Sequence, residues 1–205
     1  MSIFKILMEK PWLPDESGVA DHHPGSFAVP NQKVGLVVFL AIVAVLFFLF
    51  GAAYHMRIAL SNDWVAMPEP PLLWMNTGVL VLCSVIFEIA RGAAHRGRIT
   101  RMKQTFFIAG GLTLVFLTGQ LVVWNQLVDV GYLAASNPAN AFFYMITGTH
   151  AVHLLGGLVA WGRAAVKMGP NGDLSASRTS VDVCALYWHF LLLVWLVMFA
   201  LLLNT

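Results

Sequence analysis

Five long apolar stretches constrain this chain more than anything else in it: Val34–Tyr54, Pro71–Ala90, Phe106–Gln126, Ala141–Arg163 and Val181–Leu203. Each is close to the ~20 residues that a helix rising ~1.5 Å per residue needs to cross a ~30 Å hydrocarbon core. Backbone amides inside hydrocarbon must bond within their own segment, so such runs are helices. They use most of the 205 residues and leave no room for a separate soluble domain. The expected fold is therefore all-α: a polytopic membrane protein with five transmembrane helices in one bundle over residues 34–205. The charged content of 11% fits this, being less than half the ~25% usual in soluble proteins. Residues 1–33 are mostly polar, carry four prolines and lack the short apolar core of a cleavable leader. They are expected to form a non-spanning segment, with Pro11-Trp12-Leu13 at the interface and His22 and His23 in solvent.

Charge placement predicts the orientation. Eleven of the twelve basic residues fall in the segment before the first span (Lys5, Lys10, Lys33), between the second and third (Arg91, Arg96, Arg98, Arg101, Lys103) and between the fourth and fifth (Arg163, Lys167, Arg178). Only Arg57 lies on the other side. The positive-inside rule then puts the N-terminus in the cytoplasm and the C-terminus outside. Topology accounts for the arginines, and no nucleic-acid partner is expected.

No internal repeat or pair of broken helices of the transporter kind is visible. Pro68, Pro70, Pro71, Pro138 and Pro170 sit at ends and in loops, so the helices should run unbroken. Trp64, Trp74, Trp124 and Trp161 fall near span ends and read as interfacial anchors. Cys83 and Cys184 lie inside apolar runs and are expected to be reduced and buried.

Polar groups at membrane depth are costly and mark candidate sites. His150 and His153 lie three residues apart on one face of the fourth helix, with Gly148, Gly156 and Gly157 nearby. Counting from the basic ends of their runs puts His153 and His189 at one depth, where the three histidines could meet. Such a cluster admits a metal or haem site. It equally admits neutral imidazoles that tie helices together, and that structural reading is favoured. By the same count Glu88 lies roughly 9 Å off the histidine plane. It is read as an interfacial residue paired with Arg91 at i+3, with lipid or proton binding as the alternative. Asn76, Thr77 and Gln120 are expected to hydrogen-bond between helices.

These residues also carry a resemblance. Phe143–Gly157 resembles the run F-x-x-x-T-G-x-H-G-x-H-x-x-x-G of subunit III of the haem-copper respiratory oxidases, with Ala151 at its central glycine. Tyr187-Trp188-His189-Phe190 with Val194-Trp195 resembles that family's Y-W-H-F-V-D-x-V-W. Trp74-Met75-Asn76-Thr77 with Cys83-Ser84, and Gly119-Gln120, resemble its L-W-L-N-T…S-S and G-Q elements in the same order. The length is similar to five-span bacterial forms.

The resemblance implies an accessory subunit of a cytochrome c or quinol oxidase in a bacterial inner membrane. It would hold no cofactor of its own and would pack on subunit I, which carries the haems and copper. Subunit II, small subunits or a supercomplex are further implied partners, and phospholipid an implied ligand. The chain departs from the family at its acids, which fall at Val123, at Leu192 and among Ile42, Val43 and Ala44. Proton-handling roles of those carboxylates therefore do not carry over. The alternatives are an accessory subunit of a nitric oxide reductase and an intrinsic haem or metal protein using His150, His153 and His189.

Overall fold

The computed structural model describes residues 31–60, 64, 70–168 and 174–204. The N-terminal segment with His22 and His23, and Pro68 and Pro170, lie outside the described residues. The described residues form five α-helices and no strand: α1 (Asn31–Leu60), α2 (Pro71–His95), α3 (Ile99–Asp129), α4 (Pro138–Lys167) and α5 (Leu174–Leu203). All five are long and apolar enough to cross a membrane. The helices extend past their apolar runs, so most of the basic residues at the run ends stand on helical turns, Arg96 and Arg98 lying in the turn between α2 and α3.

Proline punctuates the helices as expected. Pro71 opens α2 and Pro138 opens α4, where the missing N–H has no intrahelical partner to lose. The Asn137 side chain caps α4 by accepting from Ala139 N at 3.1 Å. Glycine ends α2 and α3. Arg98 N donates to Ala93 O and Gly97 N to Ala94 O, the paired bonds of a Schellman turn, with Gly97 at φ +69°. Tyr132 N to Leu127 O and Gly131 N to Val128 O repeat the device at the end of α3. Gly97→Ala should cost about 1 kcal/mol through its left-handed backbone, read as a lower thermal midpoint of the detergent-solubilised protein.

Helix α5 is the element on which most of the others rest, packing on α1, α2 and α4. Its inward stripe is Val181, Cys184, Ala185, Trp188, Leu191 and Trp195, a helical spacing that keeps one face in the core. Helices α2 and α3 form the closest pair, joined by the short turn at Gly97. Small residues make room for large ones where helices cross. A Cβ on Gly110 would fall inside the Trp161 ring, and one on Gly119 would overlap the Asn76 amide. A Cβ on Gly157 would sit 2.5 Å from Tyr187 Cε1. Helix α1 leans on α4 and α5 and leaves Val38, Ile42, Val45 and Phe48 outward-facing.

Candidate functional site

Three consecutive residues of α5 reach three different helices. The Tyr187 hydroxyl donates to His153 O on α4 at 2.8 Å. The Trp188 indole N–H donates to Thr113 Oγ1 on α3 at 2.9 Å. His189 turns to α2, where it meets Ser84 and Glu88. Two turns on, Trp195 donates to Thr77 Oγ1 of α2 at 2.9 Å. Successive helical positions point about 100° apart, so a run of polar-tipped aromatics serves several neighbours at one level.

The histidines do not form one cluster. His189 Nε2 donates to Glu88 Oε2 at 3.0 Å, while Ser84 Oγ–H donates to Nδ1. A carboxylate only accepts, which assigns the proton to Nε2 and leaves Nδ1 of the neutral ring as acceptor. His153 Nδ1 donates to Thr149 O at 2.8 Å, and its ring packs on Phe39 and Phe47 of α1. The side chain of His153 thus faces α1, and α5 uses only its backbone carbonyl. His150 is buried among Trp195 (5.1 Å between ring centres), Phe116 and Phe47, with neither ring nitrogen hydrogen-bonded among the described residues. No hydrogen bond or ring contact among the described residues joins His189 to His150 or His153. Nor is any group of three His, Cys, Asp or Glu side chains there arranged to hold a metal.

The depth expected for Glu88 is corrected by this geometry. The apolar runs of α2 and α5 do not end at one level. Asp182, the second residue of the fifth run, faces Arg91 and His95, which lie beyond the end of the second run. Depths counted from the two run ends are therefore offset by about a turn, and Glu88 reaches His189 directly. Its Arg91 contact is also present, at 3.5 Å.

Asp182 is the residue that sequence reasoning missed. Its carboxylate, 11% exposed, takes His95 Nε2 at 2.9 Å, Lys33 Nζ at 3.3 Å and Arg91 Nε at 3.4 Å. It ties α1, α2 and α5 at their basic ends. A lone acid opening an apolar run amid three basic segments was the available signal.

Asn76 and Gln120 are buried as expected, but the Asn76 amide nitrogen and both Gln120 amide atoms lack partners among the described residues. Trp124 and Trp161 differ from interfacial anchors. Their indoles donate inside the bundle, to Thr147 Oγ1 at 3.2 Å and Phe106 O at 3.1 Å. Trp74 remains exposed. Both cysteines are free and buried, and the Cys83 thiol donates to Ala109 O at 3.2 Å. Val123, at one of the family's acidic positions, is fully buried apolar core, and of the three residues among which the first-helix acid falls, Val43 is buried and Ile42 faces outward.

His189→Leu should cost about 1–2 kcal/mol, since it removes two bonds and strands the Ser84 hydroxyl. His150→Leu should stay within about 1 kcal/mol of the native chain, because no bond among the described residues is lost. Thermal unfolding in detergent checks the order; equal losses at both sites would contradict it.

No family model matches the chain. Curated relatives do. A probable cytochrome c oxidase subunit 3 of Mycobacterium tuberculosis is 31% identical over 175 residues, 83% of this chain and 86% of the relative. That of Nocardia farcinica is 29% identical over 83% of this chain and 87% of its own length. The cytochrome c oxidase subunit 3 of a Synechocystis strain is 30% identical over 90% of this chain and 79% of its own. With that similarity over most of its length and five membrane-spanning helices, the chain is a multi-pass membrane protein that belongs to the subunit III family of the haem-copper oxidases.

Proposed function

We propose that this chain is the accessory, cofactor-free subunit of a terminal haem-copper oxidase in a bacterial inner membrane. Its N-terminus faces the cytoplasm, as the basic ends of the helices favour. It packs against subunit I, which carries the haems and copper, reduces oxygen and pumps protons. It stabilises that subunit and contributes phospholipid contacts, in a complex that includes subunit II. The similarity to cytochrome c oxidase subunit 3 over most of the chain carries this reading. The intramembrane polar groups support the non-catalytic part of it. His189 is engaged by Ser84 and Glu88, and His153 by Thr149 O, so both serve contacts within the bundle.

Purification through a tag on this chain in mild detergent, with subunits identified by mass spectrometry, tests the reading. Recovery of a large haem-copper subunit with a subunit II is the expected result. Recovery of a nitric oxide reductase catalytic chain would move the subunit to that enzyme, and recovery of the chain alone would overturn the proposal. Glu88→Gln should leave that assembly near normal, because the residue stands on the bundle surface.

A further inference from the structure

Threonine hydroxyls in this bundle turn back on their own helices. Thr77, Thr105, Thr113, Thr118 and Thr147 each donate to the carbonyl four residues earlier, at 2.7–3.0 Å. Ser84 departs from this pattern: its Oγ–H crosses to α5 and donates to His189 Nδ1. The other ring nitrogen, Nε2, donates to Glu88 Oε2 at 3.0 Å, and Arg91 Nη1 approaches the same oxygen at 3.5 Å. The tautomer that the carboxylate imposes therefore aims the Nδ1 lone pair at the serine hydroxyl. A hydroxyl, an imidazole set to take its proton and a carboxylate that fixes the imidazole together make the arrangement that activates serine as a nucleophile. All three side chains line one cavity of about 610 Å³, whose wall continues through Val85 and Ile89.

The surroundings select the chemistry. Ser84 lies inside an apolar membrane-spanning segment, so whatever reaches it must partition into hydrocarbon. A polyanionic phosphoryl donor does not, whereas a long acyl chain on a good leaving group does. Ser84 is also mid-helix, so the backbone N–H groups beside it are spent on the helical ladder and cradle no oxyanion. That suits one slow transfer onto the serine without turnover, and scarce water at this depth preserves the ester. We infer that Ser84 is a covalent acylation site, with His189 as its base and Glu88 as the residue that positions the base. The donor is a long-chain acyl thioester. Ser84 Oγ attacks the thioester carbonyl while its proton passes to His189 Nδ1. A C–O bond forms, the C–S bond breaks, and the thiol leaves with that proton. The acyl chain then lies along Val85 and Ile89. This acylation goes beyond the accessory role proposed above and does not depend on which enzyme the subunit joins.

Mass spectrometry of the detergent-purified full chain, with whatever subunits accompany it, reads the site with two probes. One is the palmitoyl thioester of N-acetylcysteamine. The other is a hexadecyl fluorophosphonate, which forms an O–P bond to an activated serine as fluoride leaves. Each should add once per chain, and peptide mapping should place both adducts on Ser84. Ser84→Ala should abolish them. His189→Gln, which removes the base, should slow labelling on the order of a hundredfold. Glu88→Gln removes the charge that keeps the proton on Nε2 while the bundle stays assembled, and should slow labelling about tenfold or more. Thermal unfolding in the same detergent verifies that each variant is folded. Adducts on other hydroxyls, an unchanged rate in Glu88→Gln, or no adduct under conditions that label a soluble serine esterase would each overturn the assignment.

Discussion

Gly110→Val is expected to lose about 3 kcal/mol of stability, whereas Gly111→Val, one residue along, should leave the protein unchanged. The two glycines share a helix, a depth and a composition, and they differ only in what lies opposite. A Cβ at Gly110 would occupy the Trp161 ring of α4, while one at Gly111 meets nothing within 4 Å. The indole is also stacked on Phe106, with its N–H given to Phe106 O. Displacing it costs a close-packed ring and leaves a carbonyl without its added donor. Helices in lipid gain no hydrophobic advantage from meeting each other, so shape fit carries much of their association. Thermal unfolding in detergent separates the two variants. Equal midpoints would show that Trp161 swings clear at little cost.

The second large effect is expected at Asp182. Asp182→Leu should destabilise the bundle by about 2–3 kcal/mol, because it leaves Lys33, Arg91 and His95 without their shared carboxylate. The figure is held below that of a fully buried pair, since Lys33, Arg91 and His95 are 37%, 44% and 56% exposed and can turn to water. Arg91 keeps Glu88 as a second acid. Lys33→Leu alone should cost less. Combining it with Asp182→Leu should cost less than the two losses added, because the pair shares one contact. Strict additivity in that double-mutant cycle would show that α1 is not held through this carboxylate.

The number of helices was legible because spanning length and hydropathy are properties of single segments. The prolines that open α2 and α4 were legible for a similar reason, their effect being local. Contacts between helices were not. Depth counted along separate runs has no common origin, which is why Glu88 looked far from His189 although it accepts its N–H at 3.0 Å. Pairing the histidines by depth also ignores azimuth: His153 and His189 point toward α1 and α2 respectively. Tryptophans near run ends suggested headgroup anchors, yet Trp124 and Trp161 turn inward, a choice set by glycines and hydroxyls on other helices. Asp182 went unnoticed because its three partners lie on helices far away in sequence.

The position of α5 in the chain has a consequence for how the protein is made. A ribosome delivers helices to the bilayer in order, and here the helix on which α1, α2 and α4 rest follows all of them. The α2–α3 hairpin can close as soon as it is inserted, since these two helices pack on each other more than on any other. Helix α1, whose packing among the described residues is chiefly on α4 and α5, must wait in lipid through the synthesis of everything between. For that interval the nascent chain is a closed hairpin joined to α4 and α1 only by the sparser α3–α4 and α1–α4 contacts, and the arrival of one last segment turns the set into a bundle.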